Sequence, residues 1–246
     1  MYLATALATA FFWTVALHPF PLALPPALLS APPGTALAQA TAESFVLQGN
    51  TKLESGDYRG AIADFNQALQ LNPNAAEAYL GRGIARSNLH DYLGAIDDLT
   101  RALQLNPAES EAYFFRGDAL LNLRAYRDAL DDFTRALQAD PNNADAYVGR
   151  GQARRALGDT AGALQDFTQA LTVNPQSVDA YLARGELRFT LQDFQGAVED
   201  LTQVLRLNPN AEAEVYILRG AARRESGDQA GAREDFQRAA DLSAPR

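Results

Sequence analysis

Few side chains in this chain could do chemistry, and their spacing is uniform. Histidine occurs only as His18 and His90, and cysteine is absent. That removes disulfides, thiolate metal sites and a cysteine nucleophile. His90 sits in a segment of turn residues, where a single surface histidine is ordinarily inert. Adjacent carboxylates occur at Asp97-Asp98 and Asp131-Asp132. Two carboxylates facing one substrate could act as general acid and base. On a helix, however, consecutive residues point about 100° apart, so these pairs do not converge. No glycine-rich loop has phosphate-binding spacing, and no cluster has the spacing of metal ligands. The residues point to no catalytic site, no metal and no cofactor, and the chain is expected not to be an enzyme.

The two aspartate pairs lie 34 residues apart, and so do Pro73, Pro107, Pro141, Pro175 and Pro209. A fixed period of this length marks one structural unit copied along the chain. With proline at position 32, the units are 42–75, 76–109, 110–143, 144–177 and 178–211, and a sixth, 213–246, follows one inserted residue. Position 4 is Phe45, Tyr79, Tyr113, Tyr147, Tyr181 and Tyr216; position 8 is glycine six times. Position 20 is always alanine, position 24 is Phe or Leu, and position 27 is Ala or Val.

Positions 4, 8 and 11 share one face of a first helix, and 20, 24 and 27 share one face of a second. A mid-helix glycine costs about 1 kcal/mol against alanine. Carrying it in every unit makes sense where helices approach closely. Aspartate before the second helix, as in Gly56-Asp57-Tyr58, can cap its free N–H groups. Asn-Pro ends that helix, because the residue before proline disfavours helical geometry.

This pattern resembles the tetratricopeptide repeat (TPR) family over residues 42–246, about five-sixths of the chain. The resemblance implies an all-α solenoid, a right-handed superhelix of about twelve antiparallel helices with a concave groove, that acts as a protein-interaction scaffold. Two positions depart from the family pattern. Position 7, usually leucine, is Arg82, Arg116, Arg150, Arg184 and Arg219, with Gln48 in unit one. Position 23, usually tyrosine, is Asp64, Asp98, Asp132, Asp166, Asp200 and Asp235. The joint change predicts an Arg–Asp bridge between the two helices of a unit, which specifies packing more than it adds stability. Stacked repeats need polar ends, and Arg233 and Ala240 replace the apolar residues of positions 21 and 28, so the sixth unit reads as its own cap.

In this family the groove is lined mainly by positions 2, 5, 9, 12 and 13 of the first helices. The resemblance therefore implies groove candidates Glu77, Leu80 and Ile84 in unit two, and Glu111, Phe114, Asp118 and Leu121 in unit three. Asp145, Val148, Gln152 and Arg155 follow in unit four, and Asp179, Leu182, Glu186 and Phe189 in unit five. Phe114, Leu121 and Phe189 are expected to be the most exposed. An apolar stripe edged by carboxylates fits an extended or helical peptide carrying basic residues. Ordinary scaffolding explains the same residues: first-turn acids favour the helix dipole, and position 5 can pack on the next unit. The clamp that some TPR domains close on chaperone C-terminal tails needs Lys at position 5, which is absent, and the acids at position 2 would repel such a ligand.

Residues 1–42 contain no acidic or basic side chain. Met1–Leu17 is apolar, a Pro/Ala-rich stretch follows to residue 41, and Ala36-Leu37-Ala38 resembles a signal-peptidase site. One reading is an export signal cut after Ala38, placing the mature chain in a periplasm or outside the cell. The other is an uncleaved anchor, with residues 1–17 the one place of membrane contact. The remaining chain carries all 30 acidic and 21 basic residues, a net charge of −9. That balance does not suit nucleic acid, which needs clustered Lys and Arg. Lys52, the single lysine, reads as compositional bias. The alternative to peptide capture is a structural role through self-association or attachment by the N-terminal segment.

Overall fold

The computed structural model describes residues 33–243, with side chains from Thr41 onward. These residues form twelve helices and no strand. The first helices of the units are α1 (Pro33–Glu54), α3 (Ala76–Asn88), α5 (Ser110–Asn122), α7 (Ala144–Ala156), α9 (Val178–Thr190) and α11 (Ala213–Glu225). The second helices are α2 (Tyr58–Leu71), α4 (Tyr92–Leu105), α6 (Tyr126–Ala139), α8 (Thr160–Val173), α10 (Phe194–Leu207) and α12 (Gln229–Ser243). Residues 38–246 make one compact unit. Within it, helices from α2 to α12 pack on their chain neighbours, and the first helices α3, α5, α7 and α9 touch in succession. The chain is an all-α TPR solenoid.

Helix boundaries follow the local chemistry. Asp57, Asp91, Asp159, Asp193 and Asp228 each accept a hydrogen bond from the N–H three residues on, at 2.9–3.1 Å. That N–H belongs to glycine each time, because a Cβ there would strike the capping carboxylate. After each of the second helices from α2 to α10, the Asn or Asp before proline bends its side chain forward. Asn72 accepts from Asn74 N–H at 3.1 Å, and Asp140 from Asn142 N–H at 3.0 Å. Unit one differs from expectation at its start. Its first helix begins at Pro33, so Ala38 and the boundary at residue 42 lie inside α1. Proline suits a helix start, since its missing N–H would lack a partner there anyway, and no further proline intervenes before the turn at Gly56. The apolar run 1–17 lies outside the described residues. No described helix is long and apolar enough to cross a membrane.

The core consists of rings seated on small residues. Phe65, Phe133, Phe167, Leu99 and Leu201 are fully buried. A Cβ on the position-8 glycine of the same unit would lie 2.6 Å from Phe65 at Gly49, 2.6 Å from Phe167 at Gly151 and 2.7 Å from Leu99 at Gly83. The same side chain also meets position 6 of the following unit. Phe65, Phe133 and Phe167 are followed there by Gly81, Gly149 and Ala183; the smaller Leu99 and Leu201 are followed by Phe115 and Leu218. Large meets small across each junction, as close packing demands.

The predicted Arg–Asp bridges are present. Arg82, Arg116, Arg150, Arg184 and Arg219 each donate from Nε and Nη2 to both oxygens of the position-23 aspartate, at 2.6–3.0 Å. Each guanidinium also lies 5.4–5.8 Å from the position-4 tyrosine ring of its own unit. Arg116, Arg184 and Arg219 reach back to a threonine hydroxyl of the preceding unit, so the bridge continues between units. A second arginine went unread in the sequence. Arg86, Arg154, Arg188 and Arg223 at position 11 donate to the same aspartates at 2.7–3.0 Å. In unit one Lys52 takes this role, 2.6 Å from Asp64, so the single lysine is structural rather than a bias of composition.

Unit three is the exception: Leu120 replaces the second arginine, Ala125 the capping aspartate and Asp128 the glycine. The three sites are linked, since in the units that carry the second arginine it touches both of the other two. In unit two Arg86 donates to Gly94 O at 3.2 Å and lies 3.7 Å from Asp91.

Two stability outcomes follow. Arg116→Met should cost about 3–5 kcal/mol, because it strands buried Asp132, and Arg150→Met should cost less, because Arg154 still holds Asp166. Gly149→Ala should destabilise by about 1–3 kcal/mol by overpacking Phe133, and a double-mutant cycle with Phe133→Leu should show that penalty relieved by at least about 0.5 kcal/mol. Both are read from denaturant unfolding; equal arginine costs, or an unrelieved alanine penalty, would contradict the packing described.

Candidate functional site

The expected groove residues lie along one face of α3, α5, α7 and α9. That face is built by subtraction. Positions 4, 8 and 11 turn toward the second helix, which leaves positions 2, 5, 9 and 12 on the opposite side. Successive first helices present that side in register, so residues from three units meet. Phe114 and Asp118 from α5, Asp145, Val148, Gln152 and Arg155 from α7, and Asp179, Leu182 and Glu186 from α9 line one cavity of about 330 Å³. Glu77, Leu80 and Ile84 of α3 line another of about 400 Å³, with Glu111 of α5 and Leu53 of α1. Phe189 belongs to a third cavity, between units five and six. Leu121 lines none of these.

Exposure differs from expectation. Phe114, Leu121 and Phe189 are half-buried rather than prominent. Phe114 stacks edge-on with Phe115 at 5.1 Å and leans on Phe133 at 6.0 Å. Phe189 meets Phe194 at 5.5 Å, and Leu121 packs on the core of unit three. The physical reason is local: aromatic neighbours in these units fold the rings down. Position 5 is mixed. Val46 and Val148 are buried, Leu80 and Leu182 half-buried, and Ile217 is 49% exposed. On the rim Glu77, Asp145 and Asp179 are exposed, while Glu111 is exposed as a residue but has its carboxyl turned partly inward.

Electrostatics of the main cavity are one-sided. Four carboxylates line it against one cation, Arg155. Arg155 donates to Glu186 at 2.9 Å across from α7 to α9, which uses up its charge. Burial pushes the Asp118 carboxyl above its usual range. Burial, with Glu109 nearby, does the same to Glu111. Each of these groups lacks a cation to offset its desolvation. His90 stands apart, in the α3–α4 turn at φ 62°, sharing a hydrogen bond with Tyr92 Oη at 2.9 Å. The arrangement is an acidic trough with Val148 and Leu182 among its lining.

Comparison with known proteins agrees with this architecture. A model of the TPR repeat matches residues 49–89, and one of the tetratricopeptide repeat matches 83–144, 148–212 and 182–246. No curated protein matches the chain in sequence. Among solved structures, PilF of Pseudomonas aeruginosa is similar at 16% identity and a TM-score of 0.75, over 84% of this chain and 93% of its own. PilW, a type IV pilus biogenesis factor, is similar at 20% and 0.69, over 85% and 93%. YrrB, a TPR protein with an unusual peptide-binding site, is similar at 22% and 0.60, over 73% and 92%. At these identities the likeness is one of fold.

A carboxyl raised above its unfolded value binds a proton more readily in the native state. Its contribution to stability is therefore greatest at low pH and is lost as pH rises through the folded value. Asp118→Asn should accordingly raise the denaturation midpoint at pH 7, and the advantage should vanish as pH falls below the ordinary carboxylate range. A variant less stable than wild type at pH 7 would show that Asp118 has a cationic partner.

Proposed function

The chain belongs to the tetratricopeptide repeat family, and we propose that it is a non-enzymatic scaffold that holds a basic segment of a partner protein against its inner face. One observation carries this reading: Asp118, Asp145, Asp179 and Glu186, from three successive units, surround a cavity floored by Val148 and Leu182. Carboxylates held this way, one of them desolvated and none offered a free cation, gain most from an incoming Arg or Lys. The apolar floor takes the stem or a neighbouring side chain. An extended or helical segment spans units three to five, since each contributes equivalent positions. Peptide binding by the structurally similar YrrB is in keeping with this use of the fold. An exported location, with the cut after Ala38, is part of the same proposal. That cut falls within α1 but leaves Ala42 and Val46, which are buried in unit one.

Fluorescence anisotropy with a pool of arginine-containing dodecapeptides tests it. Wild type should bind with an affinity that falls steeply as salt rises. The triple variant Asp118→Asn, Asp145→Asn, Asp179→Asn should lose at least about tenfold, roughly 1.4 kcal/mol, with its helical circular dichroism unchanged. Binding that survives the substitutions undiminished would place the site elsewhere.

A further inference from the structure

The junction between units five and six is built differently from the others, and the difference opens a cavity. At the preceding junctions α3, α5, α7 and α9 each begin directly after the residue at position 34: Ala75, Glu109, Asn143 and Ser177, with ψ between 93° and 105°. Ahead of α11 the loop repeats the same bonds as far as Ala211, which donates to Asn208 O at 3.1 Å. One extra residue, Glu212, then precedes the helix with ψ 160°. An extended residue advances the chain by about 3.3 Å and carries the start of α11 outward. Contact between α9 and α11 is correspondingly thinner than between earlier pairs of first helices. The side chains answer the gap. Positions 27 and 3 meet as Ala68 with Ala78, Ala102 with Ala112, Ala136 with Ala146 and Ala170 with Ala180, but as Val204 with Val215 at the last junction.

Those valines fill only part of the space. A cavity of about 620 Å³ remains, nearly twice the 330 Å³ of its neighbour. Its walls include Val178, Val204, Val215, Leu218, Leu182 and Phe189. Its rim carries Asp179, Glu186, Glu212 and Glu214, and no Lys or Arg lines it. Asp179, Leu182 and Glu186 are shared with the adjacent cavity, so the two are contiguous along the inner face. Water is a poor occupant of apolar walls that offer it few partners.

Resting on the proposed capture of a basic segment, we infer that this cavity is the pocket for a bulky apolar side chain of that same segment. The partner therefore carries Leu, Ile, Met or Phe beside its basic residues. Charge complementarity selects this occupant: Asp179, Glu212 and Glu214, with Glu186 already bound to Arg155, repel an acidic segment and favour one whose apolar residue is flanked by Arg or Lys. Residues 1–32 of the chain itself are largely apolar but contain no Lys or Arg.

The full chain is screened on an array of dodecapeptides in a Gly/Ser background. Each peptide carries two arginines and one test residue, Leu, Phe or Ser, at all spacings from one to six. Bound peptides should contain Leu or Phe, and replacing that residue with Ser should weaken binding at least tenfold. In methyl NMR, the best binder should shift Val204, Val215 and Leu218. Arginine peptides that bind equally well with Ser, leaving those methyls unmoved, would overturn the apolar pocket while sparing the groove. Failure of every arginine peptide would overturn both. Contacts from those methyls to residues 1–32 before any peptide is added would show that the chain fills the pocket itself.

Discussion

The solenoid depends on an exchange of volume at each helix crossing. A ring or branched side chain at position 24 occupies space that two other helices would otherwise claim. Its own unit yields at position 8 with glycine, and the next unit yields at position 6. Where the side chain is phenylalanine, the next unit supplies Gly81, Gly149 or Ala183; where it is leucine, Phe115 or Leu218 fills the remainder. Interiors this dense leave no slack for a free choice at either site. The spacing of the first helices, and hence the width of the inner face, is set by these exchanges. The cavity at the last junction is what results when a 35th residue enlarges the gap and two valines close it only in part.

Charge organises what volume permits. Each position-23 aspartate is buried between helices and would be untenable alone. In units two to six it is held by a bidentate arginine from its own unit, and in four of these by a second arginine that also binds the glycine carbonyl near the helix start, while in unit one Lys52 alone faces Asp64. Every strong cation of the first helices' packing face is thereby spent inside the stack. The inner face keeps its acids, and its two arginines at position 12 are already paired, Arg155 with Glu186 and Arg224 with Glu225. The acidic groove is thus a consequence of where the arginines are needed.

Much of this was legible in the residues. The 34-residue period marked the units, and α3, α5, α7, α9 and α11 begin where the period places them. The Arg–Asp bridge was readable because both halves of the pair depart from the family pattern together. The position-11 arginines were not, since helical spacing places position 11 on the packing face without giving it a partner, although Leu120, Ala125 and Asp128 vary together in one unit and signal the link. The reciprocity of positions 24 and 6 was also present in the letters, but it connects residues of different units and shows only once units are stacked. Groove exposure was the least legible part. Whether Phe114 or Phe189 stands out depends on ring contacts with Phe115, Phe133 and Phe194, which come from other positions of the unit and show only once the helices are packed. The start of α1 at Pro33 lies ahead of the first repeat, where the period gives no guidance.

The account makes helix separation a function of junction volume, and that can be measured as a distance. Spin labels at the equivalent exposed positions Asp145, Asp179 and Glu214 report the spacing of α7 to α9 and of α9 to α11 by pulsed electron resonance. The second distance should exceed the first in the native chain. Deleting Glu212 together with Val204→Ala and Val215→Ala should make the two distances equal. Equal distances in the native chain, or a gap that persists in the shortened one, would contradict the claim that packed volume sets the groove.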